Sequence, residues 1–381
     1  MLPRLRVLRV IARLNVGGPA LHVSLLTSRL DPARFESLLA AGTPGEREGD
    51  LLALRPDIAA TLGGRLVPIP GLGRDVRPTS DARALWALWR LVGEFRPHVL
   101  HTHTAKAGTL ARLVGVARSV PIMVHTFHGT VFGGHFRPSV ARSIVLAERA
   151  LGRVSDQVLA VSPAVAADLA RCRVAPGRVR VVALGLDLAP FAAVPALARS
   201  ASPPPVVSLV ARLVPVKDIE LFLDAARIAR GRLPTLEVRV VGDGPLRQQL
   251  ERCAPPWVSF LGNRADMPDI LSTTGVVALS SRSEGSPVAL IEALAAARPV
   301  AAVPVGGVVD LLAHRPGAIL VPERSAQALA EGIVHALTDG SFAAAAAAGR
   351  AGVVEEFGAD RLVAEIERLY QQLWEQRGET L

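Results

Sequence analysis

Short runs of β-branched and other apolar residues alternate along the chain with Ala-, Leu- and Arg-rich segments of helical period. This alternation is typical of a parallel sheet covered by helices. In the first half it predicts strands at 5–11, 65–69, 99–102, 122–126 and 157–161, with helices at 20–29, 81–95 and 138–151. In the second half it predicts strands at 206–211, 237–241, 275–279 and 300–303, with helices at 219–230 and 288–297.

A proline-rich stretch separates the two series of elements. Pro190, Pro195 and the run 202–205 disfavour both helix and central strand, which predicts a stiff linker. We therefore predict an α/β protein with two doubly wound, Rossmann-like domains that face each other across a cleft. The domains are an N-terminal domain at 1–190, a second domain at 203–357, and a C-terminal helix within 358–381 that crosses back onto the first domain.

The composition favours a globular protein of enzyme size. Of the 381 residues, 50% are hydrophobic and 20% are charged. The two cysteines, Cys172 and Cys253, do not have the spacing of metal ligands. Arginines interrupt the apolar runs near the N-terminus, and no uncharged stretch reaches the roughly 18–20 apolar residues of a membrane span. We expect a cytoplasmic protein.

Positive charge is concentrated in the first half. Residues 1–190 contain 25 Lys and Arg against 13 Asp and Glu, in a chain whose net charge is +9. This predicts an anionic partner such as phosphate or a membrane surface. Nucleic acid is not expected, because aromatic residues make up only 4% of the chain. The helix at 138–151, with arginines at 137, 142, 149 and 153, fits either a core element or one that rests on the anionic inner face of the plasma membrane.

The strongest candidate site follows a predicted strand of the second domain. Pro287 is tolerated in the first turn of a helix, because a missing N–H costs nothing there. The N–H groups of Gly285, Ser286 and this turn would favour a diphosphate. Glu284 and Glu292 can accept hydrogen bonds from sugar hydroxyls. The alternative is that these carboxylates complement the helix dipole, which fits Glu284 but not Glu292.

Other loops after predicted strands add cations and glycines. Arg212 offers a guanidinium fork, and Lys217, one of only two lysines in the chain, offers a compact ammonium. Together they would neutralise a diphosphate, unless both are solvated surface cations. Gly242, Gly17 and Gly18 would let a ligand approach the backbone closely, although a tight turn alone also requires glycine.

Six of the nine histidines cluster in the later part of the first domain. His101 and His103 alternate at a strand end, while His125 and His128 follow the next strand. Contacts with a substrate are the favoured hypothesis. A metal site is the weaker one, since no Asp or Glu lies nearby in the sequence and no tetrahedral spacing is evident. Rings satisfied by backbone groups remain an alternative for His98 and His125.

In order and spacing, these motifs resemble those of the family 4 retaining glycosyltransferases, which have the GT-B fold. In the second half the matching motifs are Arg212-x4-Lys217, Gly242-Asp243-Gly244-Pro245, Phe260-Leu261-Gly262 and Glu284-x7-Glu292. In the first half they are Gly17-Gly18, His101-Thr102-His103-x2-Lys106-Ala107-Gly108 and His125-Thr126-Phe127-His128-Gly129, which resemble bacterial members that build capsular, exopolysaccharide and lipid-linked glycans. The chain departs at Ala211 and Asp218, where many members have Gly, and at Thr130, where many have His.

The resemblance implies a role for each matching position. His128, near the reacting face of the sugar, and Glu284, beside the transferred sugar, would be catalytic. The diphosphate would lie on Arg212 and Lys217, and the ribose on Glu292. The remaining donor-binding positions would be Gly17, Gly18, Gly242, Asn263, Arg264, Gly285, Ser286 and Pro287. His101, His103 and Lys106 would lie on the acceptor side.

We therefore predict a retaining glycosyltransferase that transfers a sugar from a nucleotide-diphosphate sugar, in our prediction a UDP-sugar, to a glycan or polyprenyl-linked acceptor. No metal and no other cofactor is expected, because the two cations and the helix N-terminus would stabilise the departing diphosphate. A nucleotide-sugar epimerase of similar architecture and a non-catalytic nucleotide-sugar-binding protein remain the alternatives.

Overall fold

The computed structural model describes residues 4–45, 48–73, 75–129, 138–197 and 205–378. They form two compact units. The described residues up to Leu186, apart from 48–49, belong to the first unit together with those from Ala359 onward, and the second unit extends from Asp187 to Gly358.

The first unit contains a seven-stranded parallel sheet with the order β3-β2-β1-β4-β5-β6-β7. Its strands are β1 (Leu5–Ile11), β2 (Phe35–Ala41), β3 (Leu66–Pro68), β4 (Val99–His103), β5 (Ile122–Phe127), β6 (Gln157–Ala160) and β7 (Val179–Val181). The helices between them are α1 (Gly18–Arg29), α2 (Leu51–Leu54), α3 (Pro56–Leu62), α4 (Pro78–Phe95), α5 (Ala105–Ala117), α6 (Pro138–Arg153) and α7 (Pro163–Arg171).

The second unit contains a six-stranded parallel sheet with the order β10-β9-β8-β11-β12-β13. Its strands are β8 (Val206–Val210), β9 (Glu237–Val241), β10 (Val258–Gly262), β11 (Val276–Leu279), β12 (Val300–Ala302) and β13 (Ala318–Leu320). Its helices are α8 (Ala189–Ala192), α9 (Ile219–Arg232), α10 (Arg247–Cys253), α11 (Met267–Ser272), α12 (Val288–Ala295), α13 (Gly307–Leu312), α14 (Ala326–Thr338) and α15 (Gly340–Phe357).

Both units confirm the predicted fold class of two doubly wound parallel sheets. In each sheet the strand order reverses once, between β1 and β4 in the first unit and between β8 and β11 in the second. Ligands of such sheets bind beyond the carboxyl ends of the strands at this reversal, because the connecting loops diverge to either side there. The loops that follow these four strands are therefore the places to search for a site.

The last helix, α16 (Ala359–Gly378), packs on the first sheet. The buried face of α16 consists of Leu362, Ile366, Leu369 and Tyr370 and lies against apolar residues of β1, α1 and β4. Burial of each aliphatic side chain stabilises this packing by about 1.5–3 kcal/mol. The chain before α8 approaches the helix closely, since a Cβ added to Gly185 would lie 2.4 Å from Leu362 Cβ.

One prediction about local structure was wrong, and four strands, β2, β7, β10 and β13, were not predicted. Pro190 does not exclude helix, because it lies in the first turn of α8, where its missing N–H has no partner to lose. β2 was not predicted, since its sequence FESLLAA is richer in helix-forming than in β-branched residues. Its pairing with β1 along all seven residues overrides that local preference. Residues 198–204 of the predicted linker lie outside the described residues.

Candidate functional site

Two loops of the second unit are joined beyond the reversal between β8 and β11. Lys217 Nζ lies 2.5 Å from Glu284 Oε1, and Ser281 Oγ donates a hydrogen bond of 2.6 Å to the same oxygen. Ser280 Oγ in turn donates to the carbonyl of Lys217 at 3.0 Å. The structure thus brings together the lysine and the first glutamate of the two strongest sequence motifs.

Asp218 holds an unusual backbone conformation beside this pair. Its φ of 46° lies in the left-handed region, which glycine adopts most readily. This accounts for the glycine that many similar sequences have at this position. The buried Asp218 carboxylate forms ion pairs with Arg282, whose Nε lies at 3.2 Å, and with Arg324. These ion pairs hold the backbone of Asp218 against the loops that contain Arg282 and Arg324.

Helix α12 begins at Val288, where the apolar period predicted it, with Pro287 in the capping position rather than in the first turn. The backbone before it is held by the loop after β12. The carbonyl of Glu284 accepts a hydrogen bond of 3.0 Å from Gly307 N, and a Cβ added to Gly306 would lie 2.3 Å from that carbonyl oxygen. Gly285 and Pro287 are buried. Glu292 is the fifth residue of α12 and is half-buried.

Gly242 is required by the fold, whatever it binds. Its φ is 129°, and a Cβ at this position would lie 2.0 Å from Ala211 O. Gly242 N donates to Gly262 O at 2.7 Å, which joins the ends of β9 and β10. The fold therefore requires glycine here, as the turn alternative considered from sequence proposed. Contact between Gly242 and the donor stays a prediction.

The predicted base-binding segment carries a local ion pair. Arg264 and Asp266 form two parallel hydrogen bonds of 2.8 and 2.6 Å. These bonds raise the pKa of Arg264 and lower the pKa of Asp266. Asn263 is half-buried and Arg264 is exposed.

In the first unit, His101 is enclosed by the sheet and α16. Arg9 Nη2 donates to Tyr370 Oη at 3.3 Å, so the tyrosine hydroxyl is free to donate to His101 Nδ1, 2.6 Å away. The other ring nitrogen of His101 then donates to Thr126 Oγ1 at 2.7 Å. Both nitrogens are engaged and the ring is fully buried. The acceptor contact of His101 stays a prediction, and in this structure both of its ring nitrogens have partners within the protein.

Three other predicted residues also have internal partners. His98 Nδ1 accepts from Arg6 N at 3.1 Å, as the backbone alternative proposed. His125 bonds the side chain of Thr102 at 2.7 Å, on the opposite face of the sheet from His101. Lys106, predicted on the acceptor side, forms an ion pair with Asp81 and donates to the carbonyl of Asp75 at 2.5 Å.

His103 and His128 lie together at the ends of β4 and β5, and a third ring joins them. His103 Nδ1 is 3.0 Å from His128 Nε2, and the ring of His22, on α1, packs edge-on against both. Sequence reasoning missed His22. The available signal was a histidine on the apolar, inward face of α1, among Ala20, Val23 and Leu26.

Burial keeps these rings neutral. It lowers the pKa of His128 to about 4 and brings the pKa values of His22, His101, His103 and His125 well below the ordinary range. Positive neighbours, Arg9 and Arg361 among them, act in the same direction on His22. His128 is the partly exposed member of the group and can therefore meet a ligand.

The glycine pair before α1 marks the start of that helix. Gly17 caps α1 with a φ of 155°, and Gly18 is the first helical residue, two residues earlier than predicted. A Cβ on Gly17 would meet only Asn15 Nδ2, at 4.0 Å, so space for a ligand exists beside it. Thr130, His135 and Arg137 lie outside the described residues.

Matches to known proteins define the class. Residues 16–190 match the model described as Glycosyltransferase Family 4, and residues 204–339 match the model described as Glycosyl transferases group 1. The protein is a glycosyltransferase. The chain belongs to the family 4, group 1 glycosyltransferases, as the motifs at 212–217 and 284–292 predicted.

Individual relatives agree with this assignment. The chain is 29% identical over 246 residues to the UDP-Gal:alpha-D-GlcNAc-diphosphoundecaprenol alpha-1,3-galactosyltransferase of Escherichia coli, a match that covers 59% of this chain and 62% of that enzyme. It is 28% identical to the GDP-mannose-dependent alpha-(1-6)-phosphatidylinositol monomannoside mannosyltransferase of Mycobacterium tuberculosis, over 81% of this chain and 84% of that enzyme. The structure of Anabaena HepE in complex with UDP and glucose has the same fold, with a TM-score of 0.77 at 19% identity over 97% of this chain and 100% of that one.

Proposed function

We propose that this glycosyltransferase transfers a hexosyl or N-acetylhexosaminyl group, with retention at the anomeric carbon, from a UDP-sugar to a glycan or polyprenyl-linked acceptor in cell-surface polysaccharide or glycolipid synthesis. The observation that carries the proposal is the Lys217–Glu284 pair of 2.5 Å in front of α12. The Lys217 cation and the N-terminus of α12 suit the two phosphates of a sugar diphosphate. The Glu284 carboxylate suits the hydroxyls of its sugar.

The reaction breaks the bond between the anomeric carbon and the diphosphate oxygen, so negative charge grows on the leaving group. Lys217, Arg212 and the N–H groups of Gly285 and Ser286 would stabilise this charge. No step of this scheme requires a metal. When the diphosphate binds, its negative charge would compete with Glu284 for Lys217. The Glu284 carboxylate would then be free to accept hydrogen bonds from the sugar hydroxyls.

The remaining donor assignments follow the motifs. Glu292 would bind the ribose, and Asn263 and Arg264 would meet the base. In the first unit, we assign His128 to the reacting sugar, and His103 supports it through their 3.0 Å hydrogen bond.

The choice of UDP rests on the E. coli relative, whose name specifies UDP-Gal, whereas the mycobacterial relative is GDP-mannose-dependent. The phospholipid and polyprenyl acceptors in these names support a lipid-linked acceptor. Within the described residues no helix is long and apolar enough to cross a bilayer. We propose peripheral contact with an anionic membrane at its cytoplasmic face.

One experiment tests the proposal against both alternatives. The full chain is incubated with UDP-sugars and GDP-sugars, with and without a polyprenyl-diphosphate-sugar acceptor, in the presence of EDTA. We expect release of UDP and a longer glycolipid only when the acceptor is present. An epimerised sugar without transfer would support the epimerase instead, and binding without turnover would support the non-catalytic alternative.

A further inference from the structure

Three imidazoles of the first unit form an almost equilateral triangle. The ring centroids of His22, His103 and His128 are 5.7, 5.1 and 5.2 Å apart. One nitrogen from each ring lies within 4.8 Å of the other two, the only group of three such ligands in the part of the chain that the structure describes. The rings come from α1, β4 and the segment after β5, so the fold itself assembles them.

Part of the hydrogen-bonding capacity of this cluster is unused. Both ring nitrogens of His22 and Nε2 of His103 are buried without a partner among the described residues. His22 is only 2% exposed. Buried polar atoms in native proteins are nearly always satisfied, so unused nitrogens in a histidine triangle point to a ligand.

We propose that His22, His103 and His128 bind one transition-metal ion, with Zn²⁺ as the first candidate, through one nitrogen of each ring. Zinc–nitrogen bonds of about 2.0–2.1 Å in a tetrahedron place the ligand nitrogens about 3.4 Å apart. The 3.0 Å between His103 Nδ1 and His128 Nε2 is already close to this separation. The partial exposure of His128 gives the ion a way in.

The surroundings select the kind of metal. Arg9 and Arg361 are the charged side chains that act on His22, and both are cations. Mg²⁺ and Ca²⁺, which depend on carboxylate oxygens, do not fit such a site. Imidazole binds Zn²⁺, Co²⁺, Ni²⁺ and Cu²⁺ through strong donor bonds. Because these cations repel a divalent ion, the site needs an anion, such as hydroxide or chloride, as the fourth ligand to offset their charge.

A bound metal would inhibit the enzyme. This consequence rests on the proposed function, in which His128 acts on the reacting sugar. A metal bond to His128 Nε2 replaces its hydrogen bond with His103 Nδ1 and fixes the ring on the ion, so the ring is no longer positioned for the sugar. The ion is therefore an inhibitor rather than a cofactor, which agrees with transfer chemistry that uses Arg212 and Lys217.

The test is a titration of the full, EDTA-dialysed chain with Co²⁺, followed by displacement with Zn²⁺. We expect a single equivalent of Co²⁺ to bind with the intense visible absorption of a tetrahedral imidazole site. His22→Phe keeps an aromatic ring at this position and loses no hydrogen bond, so it should fold. It should weaken Co²⁺ binding by about tenfold or more. His335→Gln, an exposed histidine of the second unit, is the matched control and should bind as the native chain does.

The outcomes separate this proposal from the proposed function, because the titration needs no sugar donor. Absence of the visible absorption, or equal Co²⁺ binding by the native chain and His22→Phe, would overturn the metal site. In transfer assays, Zn²⁺ should inhibit the native chain and inhibit His22→Phe much less, each relative to its own rate in EDTA. A chain that binds Co²⁺ as expected but transfers no sugar would instead overturn the proposed function alone.

Discussion

Tyr370 Oη and His101 Nδ1 lie 2.6 Å apart, although 269 residues separate them in the chain. Tyr370 is the only tyrosine in the protein, and it is completely buried on α16. Its hydroxyl also accepts a hydrogen bond from Arg9, a buried cation whose pKa is lowered by desolvation. The last helix therefore supplies the hydroxyl that gives buried Arg9 and His101 a hydrogen-bond partner.

Tyr370→Phe should lower the free energy of unfolding of the first unit by about 1–3 kcal/mol, because it leaves Arg9 Nη2 and His101 Nδ1 buried without a partner. Urea unfolding measures the loss. Thr338→Ala removes an exposed hydroxyl that bonds only its own helix and should change stability little. Equal stability of native and Tyr370→Phe proteins would show that the hydroxyl contributes nothing.

Substitution of Lys217 or Arg212 by Ala should lower the transfer rate roughly 10²–10³-fold, since each removes a cation from the leaving diphosphate. Both variants should remain folded, although Lys217→Ala leaves the buried Glu284 carboxylate without its cation and should lower the melting temperature. Arg227→Ala, which removes an exposed surface ion pair, is the control. Near-native turnover of the Lys217 and Arg212 variants would contradict the diphosphate assignment.

For Glu284→Gln we expect a lower rate, and for Glu292→Gln mainly weaker UDP binding measured by calorimetry.

Gly242→Ala should destabilise the second unit and weaken UDP binding together, because its Cβ would overlap the carbonyl oxygen of Ala211 at 2.0 Å. Thermal unfolding with and without UDP measures both effects. Gly231→Ala is a matched control, since nothing lies within 4 Å of the added Cβ on α9. It should be neutral or stabilising by up to about 1 kcal/mol. If Gly242→Ala behaves like this control, the close approach is not a constraint.

Acid should destabilise the first unit through its buried histidines. Unfolded histidine titrates near pH 6.5, whereas the pKa of His128 in the folded chain is about 4. Between these values the unfolded chain binds more protons, so the free energy of unfolding falls as the pH decreases. His128 alone should remove about 2 kcal/mol by pH 5.

Urea unfolding at pH 7 and pH 5 tests this dependence on the native chain and on His128→Gln. The variant should lose less stability between the two pH values, while His335→Gln should lose as much as the native chain. An identical loss in all three proteins would assign the acid sensitivity to other groups.

Membrane contact should depend on the outer faces of α4 and α5, which touch each other. Trp86 and Trp89 on α4 are 62% and 40% exposed, and Leu113 and Val116 on α5 are 51% and 47% exposed. The guanidinium of Arg118 lies 3.8 Å from the centre of the Trp89 ring. Exposed tryptophans beside arginines fit the interface of an anionic leaflet. On α6, for which the sequence left core packing and membrane contact open, Leu146 is also exposed.

Sedimentation with vesicles measures this contact. We expect binding to anionic vesicles at low salt, loss of binding at high salt, and no binding to neutral vesicles. The double substitution of Trp86 and Trp89 by Ser should weaken binding, whereas Val309→Ser, an exposed apolar residue of the second unit, should not. Equal binding by both variants would exclude this surface.

The sequence by itself determined most of the strands and most of the loops that carry the motifs. β1 and β9 lie where the apolar runs predicted them, and α12 starts within one residue of its predicted first turn. Such features are local: the period of apolar residues reports burial, and proline and glycine mark the turns. The carboxyl-end placement of Arg212, Lys217 and Glu284 followed from the same patterns.

Only the tertiary structure decided which side chains meet. It placed His22 beside His103 and His128, paired His101 with Tyr370, and joined Lys217 to Glu284. The physical reason is that long-range packing sets the order of the strands and the return of α16 to the first sheet. The local period of apolar residues carries no information about that packing. A histidine on an apolar helix face looks the same in sequence whether it faces Leu26 or two other imidazoles, and only the packed sheet distinguishes the two.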